Sequence, residues 1–402
     1  MNRIAARSME LLRILERAGF ESVLVGGAVR DLLLGRASED ADIATEASFS
    51  DLAALFPCGK IVGPPGKAVF LVPGEGGRRE ISSFDGGSLE ADLARRDFTV
   101  NALALRSTGE LVGTRRSRRD IGLRILRFNG RSADRLVEDP LRALRLARFA
   151  STLPGFSVHR SASSGVRSAA PSLERCAPER VGREMRLGLA GDPCVFVRSL
   201  AACGLLHMLR SLRGANRGGL LRPLLSLRRL DGGDAPLLRR TALLASCDRD
   251  GAYPDPDGEA DVLRVLNEWR WPGALCSETA LLVRLRGAPA ARLTLQEMAS
   301  LLLERGCAFW DSLFALGDAV SSDPAVGRRI TANRERFAML AVRLENEKEC
   351  VPSGDELMER FSLSSGPEVG ILMYELRMEH LLRGFSTKEE ALEHGAELRK
   401  RL

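Results

Sequence analysis

The stretch LVGGAVRDLLLGRASEDADIAT, Leu24 to Thr45, decides how the chain reads. Val23, Leu24 and Val25 form a short apolar run that reads as a buried strand. Gly26 and Gly27 then let the backbone approach a ligand closely. The helix expected after them opens with free N–H groups which, with Arg30 beside them, suit an anion such as a triphosphate. Asp40 and Asp42 follow, one residue apart. On a strand such a pair shares a face, where two carboxylates repel unless a cation lies between them. Mg²⁺ takes a few carboxylates plus substrate phosphates, so these parts fit metal-assisted phosphoryl chemistry. A lone Gly-Gly reads as a turn and a lone D-x-D as two solvated acids. Together and in this order they favour nucleotide chemistry.

The bulk composition is that of a globular protein: 402 residues, 45% hydrophobic and 28% charged. No apolar run is long enough to cross a bilayer, and Met1 to Glu16 lacks the continuous apolar core of a signal peptide. The expectation is a cytoplasmic protein with no membrane contact. Eight cysteines are scattered without C-x-x-C spacing and read as reduced core thiols; four dispersed histidines do not suggest a metal site. The net charge of +6, carried almost wholly by arginine, is compatible with nucleic acid without demanding it.

The chain divides by pattern. Residues 1 to about 120 mix strands, glycine turns and helices. Val69–Val72 and Arg79–Phe84 read as neighbouring strands, and NALAL and GELVG as a strand pair around Gly109. Beyond Leu136 strand signals nearly vanish, and Leu, Ala and Arg recur at helical spacing. The expected fold class is therefore α+β: a mixed head followed by an all-helical neck, body and tail.

Two further constellations carry polar groups. In DLARRDFTVNALAL, from Asp92, Arg96 suits bidentate contact with phosphate oxygens and Asn101 suits a sugar hydroxyl, although charged residues at a strand mouth are often only caps. In VEDPLRALRLARFA, from Val137, Asp139 suits an N-cap and Pro140 a first turn. Arg142, Arg145 and Arg148 recur at i+3 along one side of the helix, hemmed by Leu141, Leu144, Leu146 and Phe149. Arginines so placed need an anionic or planar partner. Asp139 and Arg142 offer an acceptor and a donor fork that can present a Watson–Crick-like edge.

These three segments, in this order, resemble the class II, bacterial-type tRNA nucleotidyltransferase and poly(A) polymerase family, members of the polymerase-β-like nucleotidyltransferases. ERVGRE (Glu179–Glu184) and the tail PSGDELMERFSLSSGPEVGILMYEL (Pro352–Leu376) add to the match, which is dense over residues 20–190 and returns near 350–395. The resemblance implies four parts: a catalytic head (1–125), a nucleotide-selecting neck (126–190), a body (191–330) and a tRNA-binding tail (331–402). It implies Mg²⁺ held by Asp40 and Asp42, with Glu80 a candidate third carboxylate. Gly26, Gly27 and Arg30 would hold the triphosphate, and Arg96 and Asn101 the nucleotide. Asp139 and Arg142 would read the base of CTP or ATP, Arg145 and Arg148 would complete the pocket, and Glu179 and Arg180 would support it. The tRNA acceptor and T-arm would be the partner, its 3′-hydroxyl attacking the α-phosphate.

The match departs from the family in four places. Between Glu80 and the DLARRDF motif the family has a long polar loop that helps the pocket change from CTP to ATP; here there is only ISSFDGGSLEA, Ile81–Ala91. A shortened loop is a feature of CC-adding members, which leave the last A to a separate enzyme, so the expectation is CC addition, with full CCA addition as the alternative. Lys67 stands near a usual histidine. RRSRRD, Arg115–Asp120, replaces a Gly-rich aromatic turn and reads as an RNA-contacting hinge or a solvated loop. Ala245 and Ser246 stand where a metal-hydrolase His-Asp pair would be. Poly(A) polymerase and a non-catalytic RNA-binding protein on the same scaffold are the rival readings.

Overall fold

A computed structural model describes residues 3–36, 42–63, 68–73, 79–209, 221–230, 240–241, 258–321 and 323–400. Asp40, Lys67, Ala245 and Ser246 lie outside the described residues. The chain forms two compact units, Met1–Leu205 and Leu206–Leu402.

The first unit opens with helix α1 (Arg3–Arg17) and strand β1 (Ser22–Val25), followed by α2 (Gly27–Leu33), β2 (Asp42–Thr45), α3 (Phe49–Leu55), β3 (Lys60–Val62), β4 (Val69–Val72), β5 (Arg79–Ser83), α4 (Leu89–Arg95), β6 (Leu103–Leu105) and β7 (Leu111–Gly113). The seven strands make one mixed sheet in the order β3-β4-β5-β2-β1-β6-β7. Only β2 and β5 run parallel; all other neighbours are antiparallel. The expected β4/β5 and β6/β7 pairs are both present. β3 was not anticipated: it is three exposed residues at the sheet edge, too short and too solvated to show a pattern. In NALAL, Asn101 belongs to a 3-10 turn, Thr99–Asn101, and the strand begins two residues later.

The sheet register positions the site. Directly opposed residues share a face. Val23 faces Ala44, and Val25 faces both Asp42 and Ala104. Val23, Val25, Ala44 and Ala104 pack under Phe84, Leu89 and Leu93 of α4 and its approach. Leu89 and Leu93 reach this core because they sit one helical turn apart. Asp42 ends the same row and is exposed where the apolar cover stops.

α5 (Arg115–Gly122), β8 (Ile125–Leu126), α6 (Ser132–Glu138), α7 (Arg142–Thr152), β9 (Ser157–Val158), α8 (Arg160–Ala169), α9 (Pro178–Ala190) and α10 (Pro193–Ala202) complete the unit. β8 and β9 form a small parallel ribbon, an exception to the helical pattern expected there. Asp139 does not cap α7 as expected. It ends α6, and its Oδ1 accepts the Leu141 N–H at 3.2 Å in a tight link before α7 begins at Arg142. A short polar side chain before a proline serves a turn as readily as a helix start, and here the turn wins.

In the second unit every described element of regular structure is helical. Near the end of the chain, Val351, Leu357, Leu372, Leu376, Phe385 and Ala391 form their own core. Arg343, from the helix Pro324–Glu345, donates through Nη1 to the Leu381 and Leu382 carbonyls at 2.6 and 2.7 Å. His380 bonds the Arg343 carbonyl at 2.9 Å. No described helix is long and apolar enough to cross a membrane. Of the cysteines, Cys194, Cys203 and Cys276 are buried, and burial pushes the Cys203 thiol up to about 11. Cys58 is exposed, contrary to the core-thiol reading.

Candidate active site

A cavity of about 700 Å³ opens where β1, α2, β2, α4 and α7 meet, and it gathers most of the residues singled out above. Gly26, Gly27, Asp42, Arg30, Arg96, Asn101, Arg145 and Arg148 line it, together with Asp97 and Phe149 among others.

Both glycines lie under guanidinium groups, and Gly26 also has a backbone that favours glycine. Gly26 has φ 70°, a conformation that favours glycine, and a Cβ there would meet Arg96 Nη1 at 2.9 Å. A Cβ on Gly27 would meet Arg30 Nη2 at 3.5 Å. The two guanidiniums predicted to hold phosphate thus lie directly against the bare turn. Arg96 is held from behind: its Nε and Nη2 donate to Asp92 Oδ2 at 2.9 and 2.8 Å. Arg30 is held by Asp31 through Nε and Nη2, at 3.1 and 2.9 Å, and its Nη1 donates to Asn101 Oδ1 at 2.8 Å.

Asn101 leads to a residue that sequence reasoning did not assign. Asp97 is buried and accepts from Asn101 Nδ2 and the Phe98 N–H, both at 2.9 Å, and from Arg145 Nε and Nη2 at 2.8 and 2.6 Å. Burial pushes its carboxyl up, but Arg145, Asn101 and Phe98 outweigh this and hold it below the usual carboxylate range. Arg145 is correspondingly raised: burial opposes its charge, and Asp97 and then Glu184 more than compensate. Glu184, also buried, pairs with Arg148 Nε at 2.5 Å. Phe149 supplies the planar partner, its ring lying 4.0 Å from the Arg148 guanidinium, 5.2 Å from Arg30 and 5.4 Å from Arg145.

Asp139 and Arg142 do not line this cavity. Asp139 Oδ2 accepts from Arg180 Nη2 at 2.7 Å. Arg142 Nη1 donates to Glu138 at 2.6 Å and to the Arg135 carbonyl, and Nη2 to the Arg95 carbonyl. The pair therefore faces protein groups of α4, α6 and α9. Arg180 reaches Asp139 from α9, and Glu179 precedes it on the first turn of that helix.

For a divalent cation the described donors are hard oxygens at one end of the sheet. The parallel register Ile43–Ile81, extended by one residue, sets Glu80 alongside Asp42 on the same face. That chemistry fits Mg²⁺. Among the described residues no group of three or more His, Cys, Asp or Glu side chains is arranged to hold a metal.

The Ile81–Ala91 segment is a closed turn. Ile81–Ser83 belong to β5, the Phe84 N–H donates to the Thr45 carbonyl at 2.8 Å, and Gly86 and Gly87, both at positive φ, reverse the chain. Ser88 caps α4 by accepting the Ala91 N–H. The Asp85 N–H donates to Asp92 Oδ1 at 3.2 Å, so the carboxylate that holds Arg96 also holds this turn.

The sheet order, the Gly-Gly turn and the carboxylate at a strand end define a nucleotidyltransferase head, and known proteins agree. The family model of the poly A polymerase head domain matches residues 22–72. The chain is 45% identical over 180 residues to the CC-adding tRNA nucleotidyltransferase of Shouchella clausii, covering 45% of this chain and 47% of the relative. The chain thus spans about half the length of the first curated relatives it matches. With the CCA-adding enzyme of Geobacillus stearothermophilus it is 31% identical over 381 residues, 90% of this chain and 89% of that one. The crystal structure of the Bacillus stearothermophilus CCA-adding enzyme in complex with CTP matches with a TM-score of 0.67 and 28% identity, both chains covered in full. The fold is the polymerase-β-like nucleotidyltransferase fold followed by a mostly helical region. This chain belongs to the tRNA nucleotidyltransferase family of the CCA-adding enzymes.

Proposed function

We propose that this protein adds nucleotides to the 3′ end of tRNA without a nucleic-acid template. The observation that carries the reading is the Gly26–Gly27 turn lying under Arg96 and Arg30 beside Asp42. The 3′-hydroxyl oxygen of tRNA forms a bond to the α-phosphorus of CTP as its proton passes to solvent, the bond from that phosphorus to the bridging oxygen of the β-phosphate breaks, and pyrophosphate leaves with the electron pair. Arg30 and Arg96 balance the triphosphate charge, and Asn101, set by Asp97 and Arg30, meets the ribose. Mg²⁺, held by Asp40 and Asp42 with Glu80 as a candidate third carboxylate, would lower the hydroxyl pKa and stabilise the leaving group. Arg145 and Arg148 close the pocket. The division into head, neck, body and tail and the placing of the acceptor and T-arm on residues 331–402 belong to the same proposal.

Base selection falls to Asp139 and Arg142, which must exchange their present partners, Arg180 and Glu138, for the base edge. Arg142→Ala should then weaken discrimination of CTP from UTP by a factor of about 5–150, since a bidentate fork contributes roughly 1–3 kcal/mol of selectivity. Equal loss with all four nucleotides would make Arg142 a residue of the α6–α7 link only.

We also propose that addition stops at CC. The support is the closed Phe84–Ser88 turn, tied to Asp92, in place of a lever that could reshape the pocket for ATP. Incubation of tRNA lacking CCA with each labelled nucleoside triphosphate tests both levels. Two C additions and an AMP addition at least about a hundredfold slower are expected, a barrier difference of about 2.7 kcal/mol. Efficient AMP transfer to a CC end would make this a CCA-adding enzyme, and repeated AMP addition a poly(A) polymerase. No transfer at all would leave a binding protein.

A further inference from the structure

The nucleotide-addition reading leaves α5 unused. This segment, expected as a hinge or loop, is a helix capped by Thr114, whose Oγ1 accepts the Ser117 N–H. Ser117, Asp120 and Ile121 are buried, so the spacing turns Arg115, Arg116 and Arg119 outward, and all three are exposed. Asp120, the helix's only acid, is 1% exposed and already accepts from Thr99 Oγ1 at 2.8 Å and pairs with Arg127 Nε at 3.1 Å. It cannot neutralise the outer face.

The β8–β9 ribbon widens the patch. The His159 N–H donates to the Leu126 carbonyl at 2.9 Å, setting His159 and the exposed Arg160 alongside Arg127. Burial first, then Arg127, Arg160 and Arg116, hold the His159 imidazole below its ordinary value, with Asp120 opposing. α5 packs against β8, so its arginines and those flanking His159 belong to one neighbourhood.

The plain alternative is that exposed arginines in an arginine-rich chain are merely solvated. Some exposed or half-exposed arginines of this unit meet acids, as Arg95 does Asp85 and Arg106 Glu21, and others such as Arg13, Arg17 and Arg183 stand singly; α5 differs in presenting three on one short helix that packs on the β8 strand beside Arg127. Among the described residues Arg115, Arg116, Arg119 and Arg160 have no ion-pair partner. A one-signed patch of this kind attracts a polyanion, and guanidinium forks suit phosphate oxygens bidentately.

We propose that the outer face of α5, with Arg160, binds the RNA sugar–phosphate backbone outside the nucleotide cavity. The RNA is the tRNA of the reaction proposed above, and the surface contributes affinity and register without reading bases. This identification of the RNA rests on that reading.

The test is a full-length Arg115→Gln/Arg116→Gln/Arg119→Gln variant, with Arg95→Gln/Arg106→Gln/Arg131→Gln as a charge-matched control. Binding to tRNA lacking CCA is measured across a salt series. The α5 variant should bind at least about tenfold more weakly at low salt, and its slope of log affinity against log salt should shrink by about two to three, near 0.9 per duplex phosphate released. Its KM for tRNA should rise while that for CTP holds. Unchanged affinity and slope overturn the proposal, as does an equal loss in the control, which would show a net-charge effect. Intact tRNA binding with lost affinity for polyglutamate would assign the face to an acidic protein and equally overturn it. The binding readout needs no catalysis, so an inactive wild-type protein would refute the reaction and leave this test standing.

Discussion

Asp42→Ala should lower nucleotide addition by about a thousandfold or more while tRNA affinity changes little. Asp42 stands where the sheet's apolar cover ends, opposite Val25 and facing the cavity that holds Arg30 and Arg96. Asp42 is exposed and would repel the negative charge of an incoming triphosphate unless a cation lay between them. A metal held by this carboxylate would contribute several kcal/mol of transition-state stabilisation, which corresponds to at least about three decades in rate. On the proposed reading RNA is gripped by arginines and helix surfaces elsewhere, so its affinity should survive. Two measurements decide: single-turnover CMP transfer, and the Mg²⁺-induced thermal shift, which the variant should lose. Near-wild-type turnover would remove the metal assignment.

Asp97→Ala should be the most destabilising single change in the site. The buried carboxylate serves Arg145, Asn101 and the Phe98 N–H together. Removing it leaves a half-buried guanidinium and the buried Asn101 amide without their shared acceptor, a loss of about 1–3 kcal/mol, or a thermal midpoint lower by about 5 °C for a unit of this size. The pH dependence has a definite sign. The folded carboxyl is held below its ordinary 3.8, so its contribution is complete well above that value and is lost as pH falls toward the folded pKa. Denaturant melts from pH 7 to 3 should show this acid-side loss in the wild type and a flatter profile in Asp97→Asn. A variant as stable as wild type at pH 7 would show that Glu184 alone suffices for Arg145.

Local signals made much of this legible from sequence. A strand, two glycines, a short helix and a D-x-D are contiguous, and the structure places Gly26, Gly27, Arg30 and Asp42 in one cavity. The hub was not legible. Asp97 beside Arg95 and Arg96 reads as a cap on a strand, because its main partner lies 48 residues later. Arg145 and Arg148 were read as needing an anionic or planar partner, and they have both kinds, Asp97 and Glu184 on one hand and Phe149 on the other. Phe149 at a helical apolar position looks like ordinary core. The clue was in the requirement itself: arginines hemmed by leucines demand buried acids, and Glu184 lay inside a motif already singled out. The β3 edge and the Asp139 link were missed for a different reason. Short exposed segments carry too little pattern to separate turn from cap.

Asp92 gives the molecule a constraint on its own alteration. One of its oxygens fastens the Phe84–Ser88 turn and the other fastens Arg96 above Gly26. Lengthening the turn would therefore be a two-site event: freeing the Asp85 amide also loosens the anchor of a phosphate-facing guanidinium. A spliced-in loop would have to bring its own donor for Asp92 before it gained any leverage over base choice. On the proposed reading, a change of length in this turn would alter nucleotide choice and triphosphate grip together.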